Sequence, residues 1–310
     1  MPKRKVGFHT PEAIIGNHKV FAGDCNNLLH ELPENSVDVL VTSPPYWGQR
    51  TSNGTGVEVD PRDYVSSLVE IFSSALVALK PTGVCWINIG DAYNTPVNWR
   101  ETDHVYSSLG ADKNGLDENN SAYKKNRQKR KAFIRKDVSW LQYGNLLALP
   151  YRLILGLCDS GFVFRGEVIW KKQNPLPEGR CRRPHRVHEP IFLLAKSEKH
   201  EFTISPSIKS VWEFPNEGRK EKHAHFSRYP EELARRCILA SGVDLKPETV
   251  ILDPFAGSGT TGVVAKQLGC SFVGFEIDEL HVDSSNDRIN NTDHGSWEDA
   301  PPSAVRKGAR

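Results

Sequence analysis

Thr249-Val-Ile-Leu-Asp253-Pro-Phe-Ala-Gly257-Ser-Gly259-Thr-Thr261 is the stretch on which the fold turns. Residues 249–252 read as a buried strand and 258–268 as a helix, with a glycine-rich turn between them. Gly257 and Gly259 let the backbone turn tightly and come close to a ligand. Glu276, at the end of the next strand, follows Asp253 by about 20 residues, the separation at which an acid accepts hydrogen bonds from ribose hydroxyls. The stretch therefore reads as a nucleoside-cofactor turn. Gly257, Gly259 and Gly262 also satisfy G-x-G-x-x-G, so at this motif a nicotinamide dinucleotide stands level with other nucleoside cofactors. A phosphate-gripping P-loop fits less well, because no Gly-Lys-Ser/Thr follows.

Outward from this turn, strands alternate with helices. Strands are expected at 19–22, 37–42, 84–89, 162–170, 190–195 and 271–275, and helices at 26–32, 61–79, 144–159, 230–240 and 278–289. Lys80-Pro-Thr-Gly83 reads as the stop between the helix 61–79 and the strand 84–89. The expected fold class is α/β, a doubly wound, mainly parallel sheet covered on both faces. A polar stretch from residue 93 to about 137, rich in Asn, Lys and Arg, breaks the rhythm, and 197–222 reads as irregular. The expected organisation is one domain over 1–290, with insertions at about 94–143 and 176–222, and a polar, disordered tail at 291–310.

The chain has 310 residues, 38% of them hydrophobic, enough to bury a substantial core. Its six cysteines include no C-x-x-C pair, which argues against a zinc site or a disulfide framework. No long apolar run suggests a membrane span or signal peptide, so a cytoplasmic protein is expected. The net charge is only +2, so any nucleic-acid surface must come from local clustering.

The second informative stretch is Thr42-Ser43-Pro44-Pro45-Tyr46-Trp47, which closes the apolar run 37–41. Both prolines fix their own φ and donate no N–H, so their carbonyls are left to accept. Ser43 adds an accepting hydroxyl and Tyr46 a flat face on which a heterocycle can stack. The geometry suits an exocyclic amine, whose lone pair is delocalised until acceptors draw its protons away. Alone, the tetrapeptide reads equally as a polyproline-like turn.

Together the two stretches resemble the DNA amino-methyltransferases, which carry a [DNS]-P-P-[YFW] catalytic turn and a D-P-F-x-G-S-G-T-T cofactor turn. The order, catalytic turn first, is similar to the beta arrangement of that family. Val20-Phe-Ala-Gly23-Asp24, Asn174-Pro175, His188-Glu189-Pro190 and His225-Phe226-Ser-Arg-Tyr229-Pro230 extend the resemblance over about residues 18–290. It implies S-adenosylmethionine as cofactor and a base turned out of double-stranded DNA as substrate, with Ser43, Pro44, Pro45 and Tyr46 catalytic. Serine before Pro-Pro, and Trp after Tyr, is the form usual in cytosine-N4 members, whereas Asp is commoner in adenine-N6 members. By the same resemblance Asp24 and Glu276 hold the adenosine, Asp253, Pro254, Phe255, Gly257, Gly259 and Thr260 line the cofactor, and Phe226 and Ser227 sit near its methionine end. Two departures stand out: His281 where Tyr is common, and Arg228-Tyr229 in place of a small residue and Phe.

The implied activity is site-specific N4-methylation of cytosine in a bacterial or archaeal cell, paired with a restriction endonuclease. The alternatives are adenine-N6 methylation in the same fold, a non-catalytic DNA-binding protein and, more distantly, an oxidoreductase. Two basic clusters are expected to meet phosphates: Lys124, Lys125, Arg127, Lys129 and Arg130, and Arg180, Arg182, Arg183 and Arg186. His185, His188, His223 and His225 lack the spacing of a zinc site, so no metal is expected.

Overall fold

The computed structural model describes residues 10–48, 54–94, 138, 140–175, 182–200, 208–216 and 229–293. In chain order the elements are β1 (His18–Ala22), α1 (Cys25–Leu29), β2 (Val37–Thr42), α2 (Pro61–Ala78), β3 (Leu79–Asn88), α3 (Leu149–Asp159), β4 (Val163–Lys172), β5 (His188–Ala195), β6 (Val211–Phe214), α4 (Glu231–Ala240), β7 (Val250–Asp253), α5 (Thr260–Gln267), β8 (Ser271–Glu276) and α6 (Glu279–Asn290). The strands form one eight-stranded sheet in the order β1-β8-β7-β2-β3-β5-β4-β6. Pairing is parallel from β1 through to β3 and again between β4 and β6. β5 alone runs antiparallel to both neighbours.

Local sequence explains the elements. α2 starts where Asp60 accepts from the Arg62 N–H and Pro61 takes the first turn, and it buries Tyr64, Leu68, Ile71 and Phe72 on one face. The core has two parts, one on each face of the sheet. Leu28, Phe72 and Leu153 pack under α1, α2 and α3, and Leu233, Val264 and Ile289 pack under α4, α5 and α6. The result is the three-layer architecture that the alternating pattern implies.

Several boundaries differ from the sequence reading. Lys80-Pro-Thr-Gly83 is no stop: β3 begins at Leu79, directly after α2, and the four residues form an irregularity between the pairs Val37↔Leu79 and Val39↔Val84. α3 begins at Leu149 rather than 144, because Gly144 and Ala148 both have positive φ and cannot extend the helix. Within 176–222, β5 falls where a strand is expected at 190–195, but β6 lies in the stretch 197–222 that reads as irregular. β6 alternates exposed Val211 and Glu213 with buried Trp212 and Phe214, a strand too short to announce itself.

This topology places the site. β1, β2, β3, β7 and β8 are parallel, so their carboxyl ends share one edge of the sheet. β5 is reversed, which brings its first residues, His188 and Glu189, to that same edge, opposite Lys171 and Trp170 at the end of β4.

Candidate active site

β2 delivers Ser43-Pro44-Pro45-Tyr46 to this edge. Pro44 and Pro45 are buried, and Ser43 and Tyr46 half-buried. The turn is fastened on both sides. The Tyr64 hydroxyl of α2 donates to the Pro45 carbonyl at 2.9 Å, and the Trp47 indole N–H donates to the Glu58 carbonyl at 2.9 Å. The Pro45 carbonyl is thus engaged by Tyr64, while the Pro44 carbonyl and the Ser43 hydroxyl are the turn's other acceptors.

Tyr46 is held in place. Its hydroxyl lies 2.9 Å from Glu189 Oε2, to which it donates, and 3.3 Å from Asn88 Oδ1. A Cβ on Gly90 would come within 2.4 Å of Tyr46 Cε2, so only glycine lets the backbone after β3 approach the ring this closely. Burial, and then the charge of Glu189, push the Tyr46 phenol well above its ordinary value. The phenol therefore stays protonated, and Tyr46 offers the site a ring rather than a titrating oxygen.

β7 delivers the other turn. Asp253 is fully buried and accepts from four donors: Thr42 Oγ1 at 2.6 Å, Thr261 Oγ1 at 2.5 Å, the Phe255 N–H at 3.1 Å and the Tyr229 hydroxyl at 3.0 Å. Burial pushes this carboxyl up, while the four hydrogen bonds hold it down. Asp253 thus ties the cofactor turn to Thr42, the residue before Ser43, and its oxygens are used inside the protein. Gly257 donates its N–H to Glu276 Oε2 at 3.0 Å, and Thr260 Oγ1 accepts from Arg288 at 3.1 Å. Gly259 has φ +74, with Ile289 3.1 Å from where a Cβ would stand, so the turn packs close to α6.

Between the two turns lies a cleft of about 260 Å³, with walls that include Gly23, Asp24, Pro45, Pro254, Phe255 and Glu276. Of the residues expected to hold a cofactor, Asp24, Pro254, Phe255 and Glu276 face this cleft. Asp253, Gly257, Gly259 and Thr260 shape the turn from behind. Cys25 also lines the cleft, but burial, reinforced by the neighbouring Asp24, pushes its thiol up to about 12, which leaves it un-ionised. Phe226, Ser227, Lys124, Lys125, Arg127, Lys129, Arg130 and Arg180 lie outside the described residues.

The cleft's donor set separates the two cofactor readings left level by the glycine pattern. Asp24, Glu58 and Glu276 contribute carboxylates, and none of the described lining residues is Lys or Arg. Such a wall repels a pyrophosphate and suits ribose hydroxyls and a cation. Pro45, Pro254 and Phe255 add apolar faces for a nucleobase. The residues fit S-adenosylmethionine, a nucleoside with a sulfonium centre and no phosphate, better than a dinucleotide.

Of the second basic cluster, Arg182 is exposed, Arg183 lies 3.9 Å over the Tyr93 ring, and an Arg186 nitrogen is 3.8 Å from Asp91 Oδ2. Sequence reasoning did not place Asn88, Gly90, Asp91 or Lys172 in the site, and it used Glu189 only as part of a matching tripeptide. A polar Asn88-Ile-Gly90-Asp91 closing an apolar strand was the available signal.

An α/β sheet with an acidic nucleoside cleft at its carboxyl edge, next to a Pro-Pro turn, has the architecture of the methyltransferases. The sequence matches the DNA methylase family of N6 and N4 enzymes over residues 37–287, and the chain belongs to that family. The type II methyltransferase M.Cfr9I of Citrobacter freundii is 34% identical over 301 residues, covering 92% of each chain. M.SmaI of Serratia marcescens, also a type II methyltransferase, is 33% identical over 294 residues, covering 90% of this chain and 92% of its own. Among solved structures, the cytosine-N4-specific PvuII DNA methyltransferase superposes with a TM-score of 0.63 at 20% identity, covering 87% of this chain and 85% of that one. The M1.HpyAVI–SAM complex superposes with a TM-score of 0.54 at 18% identity, covering 88% and 98%. None of the described helices is long and apolar enough to cross a membrane.

Proposed function

We propose that this chain is a type II DNA methyltransferase that uses S-adenosylmethionine to methylate the exocyclic N4 of a cytosine swung out of duplex DNA, as the cytoplasmic modification partner of a restriction endonuclease. The observation that carries the reading is the Thr42–Asp253 hydrogen bond, which sets the Ser-Pro-Pro-Tyr turn against the cofactor turn across an acidic cleft. Serine at position 43 favours cytosine, and the cytosine-N4 specificity of the PvuII enzyme, which shares the fold, agrees with it.

Asp24 and Glu276 accept from the ribose hydroxyls, and Phe255 and Pro254 flank the adenine. When bound, the cofactor supplies an electrophilic methyl group on a cationic sulfur. Extruding the base costs a few kcal/mol, and stacking on Tyr46 offsets about 1–3 of these. Ser43 Oγ and the Pro44 carbonyl accept from the two N–H groups of the amine. That orients the nitrogen lone pair for in-line attack and stabilises the charge that develops there. The C–S bond breaks as the N–C bond forms, and the extra amine proton leaves to solvent. No covalent enzyme intermediate is involved. The segments 94–143 and 176–222, with the basic residues of both clusters, carry the DNA contacts, phosphate neutralisation providing affinity and a few base-edge contacts the sequence preference.

Incubating the protein with methyl-labelled S-adenosylmethionine and unmethylated genomic DNA, followed by nucleoside analysis, tests the reading. Label in N4-methylcytosine is expected, and Tyr46→Ala should lower its formation by about 100-fold or more, given what a lost stacking platform and misplaced base cost. Label only in N6-methyladenine would instead assign the adenine reaction to the same site.

A further inference from the structure

We infer that Glu189, held by Lys172, is a positioning residue that fixes the Tyr46 ring as a stacking platform for the extruded base. This rests on the methyltransferase reading above and adds a role that neither the catalytic turn nor the cofactor turn supplies.

Tyr46 follows two prolines that fix the backbone, yet its ring still has two side-chain torsions and is only half-buried. A platform that swings between rotamers stacks poorly, because each productive encounter must first select the right orientation. Two contacts remove that freedom. Gly90 lets the main chain press against one edge of the ring, where even a methyl group would clash at 2.4 Å. Glu189 anchors the ring's far end through the phenol oxygen at 2.9 Å.

Glu189 serves as an anchor because it is itself immobilised. Its side chain is 14% exposed, and its Oε1 is paired with Lys172 Nζ. Lys172 in turn lies 4.9 Å over the Trp170 ring, and Asn88 donates weakly to Oε2 at 3.4 Å. The Asn88 amide also donates to the Pro190 carbonyl at 3.1 Å, locking β3 to the first residues of β5. The reversed strand β5 thus brings a neutralised carboxylate to the tip of a residue 143 positions away in the chain. The phenol proton is committed to this paired carboxylate, so the hydrogen bond works through orientation.

Four variants and two readouts test this. Methyl transfer to unmethylated genomic DNA should fall about tenfold in kcat in Glu189→Ala, by the loss of one orienting contact, with the dissociation constant for S-adenosylmethionine within about twofold of wild type, since Glu189 does not line the cleft. Tyr46→Phe, which also gives up the phenol's contacts with Asn88 and Ser43, should lose at least as much, and the double variant no more than Tyr46→Phe alone, because Glu189 acts through that hydroxyl. Glu189→Gln, whose amide oxygen still accepts from the phenol, should recover most of the rate. Losses that multiply in the double variant, or a wild-type rate in Glu189→Ala, would overturn the proposal. The second readout is independent of turnover: 19F NMR of protein carrying 3-fluorotyrosine, with the Tyr46 signal assigned by its disappearance in Tyr46→Phe. That signal should shift or broaden in Glu189→Ala and return in Glu189→Gln, and an unmoved signal would also overturn the anchor. If the wild-type protein transfers no methyl group while the signal responds as stated, the reaction assignment fails and the anchor stands.

Discussion

The cofactor turn after β7 and the catalytic turn after β2 sit at the same edge of one sheet, but they are shaped by different means. The cofactor turn is largely self-contained. Its glycines set its path, Gly257 donates to Glu276 one strand away, and Asp253 accepts from Thr261 and Phe255 within the same short motif. The catalytic turn depends on distant residues: Tyr64 from α2, Asn88 and Gly90 from β3 and its exit, and Glu189 from β5. One turn uses local backbone chemistry, the other side chains gathered by topology. A short motif can specify most of the first and only part of the second.

Asp253 is where the two regions meet, so Asp253→Ala should break both at once. It leaves buried donors from Thr42, Thr261, Tyr229 and Phe255 without their acceptor, a loss of about 3 kcal/mol or more. Urea denaturation should show the fall, and cofactor binding and methyl transfer should disappear together. Gly90→Ala should separate the regions. The added methyl displaces the Tyr46 ring, so methyl transfer should drop about tenfold or more, while calorimetric titration finds cofactor binding unchanged.

A smaller effect belongs to Asp91, just beyond Gly90. Its Oδ1 accepts from the Ala92 and Leu149 N–H groups, whereas among the described residues the buried Oδ2 has no hydrogen-bond partner and lies 3.8 Å from an Arg186 nitrogen. Burial raises this carboxyl above its ordinary value, against the opposing pull of the N–H donors and Arg186. For an acid whose folded pKa is raised, the folded state holds the extra proton, so stability falls as pH climbs from the unfolded value through the folded one. Asp91→Asn keeps the Oδ1 acceptor and removes the charge. Its melting temperature should gain on the wild type's across that acidic window and then keep a constant offset toward neutrality. A gap independent of pH throughout would show that Asp91 titrates alike in both states.

The same division explains what the sequence revealed. β2, β7 and β8 are short, mostly apolar strands largely buried on both faces, and the turns after β2 and β7 carry their chemistry in consecutive residues, so both were legible. The start of β3 was hidden because Pro81 and Gly83 imitate a stop while in fact forming an irregularity beside β2. β6 was hidden by its four-residue length. Asp253 was legible as a member of the cofactor turn but not as a fastener, since its partners Thr42 and Tyr229 lie far from it in the chain. Glu189 acquires its role only because β5 is reversed, and no spacing rule links residue 189 to residue 46.

The Thr42–Asp253 hydrogen bond joins residues 211 positions apart, and this has a consequence for synthesis. Closing so long a loop is slow compared with forming the local helices, and β2 finds its neighbour β7 only after most of the chain exists. A nascent chain emerging from the ribosome therefore carries a finished Ser-Pro-Pro-Tyr sequence for most of its translation without a working site beside it. Competence arrives late and all together, when the strand that ends in Asp253 slots in beside β2.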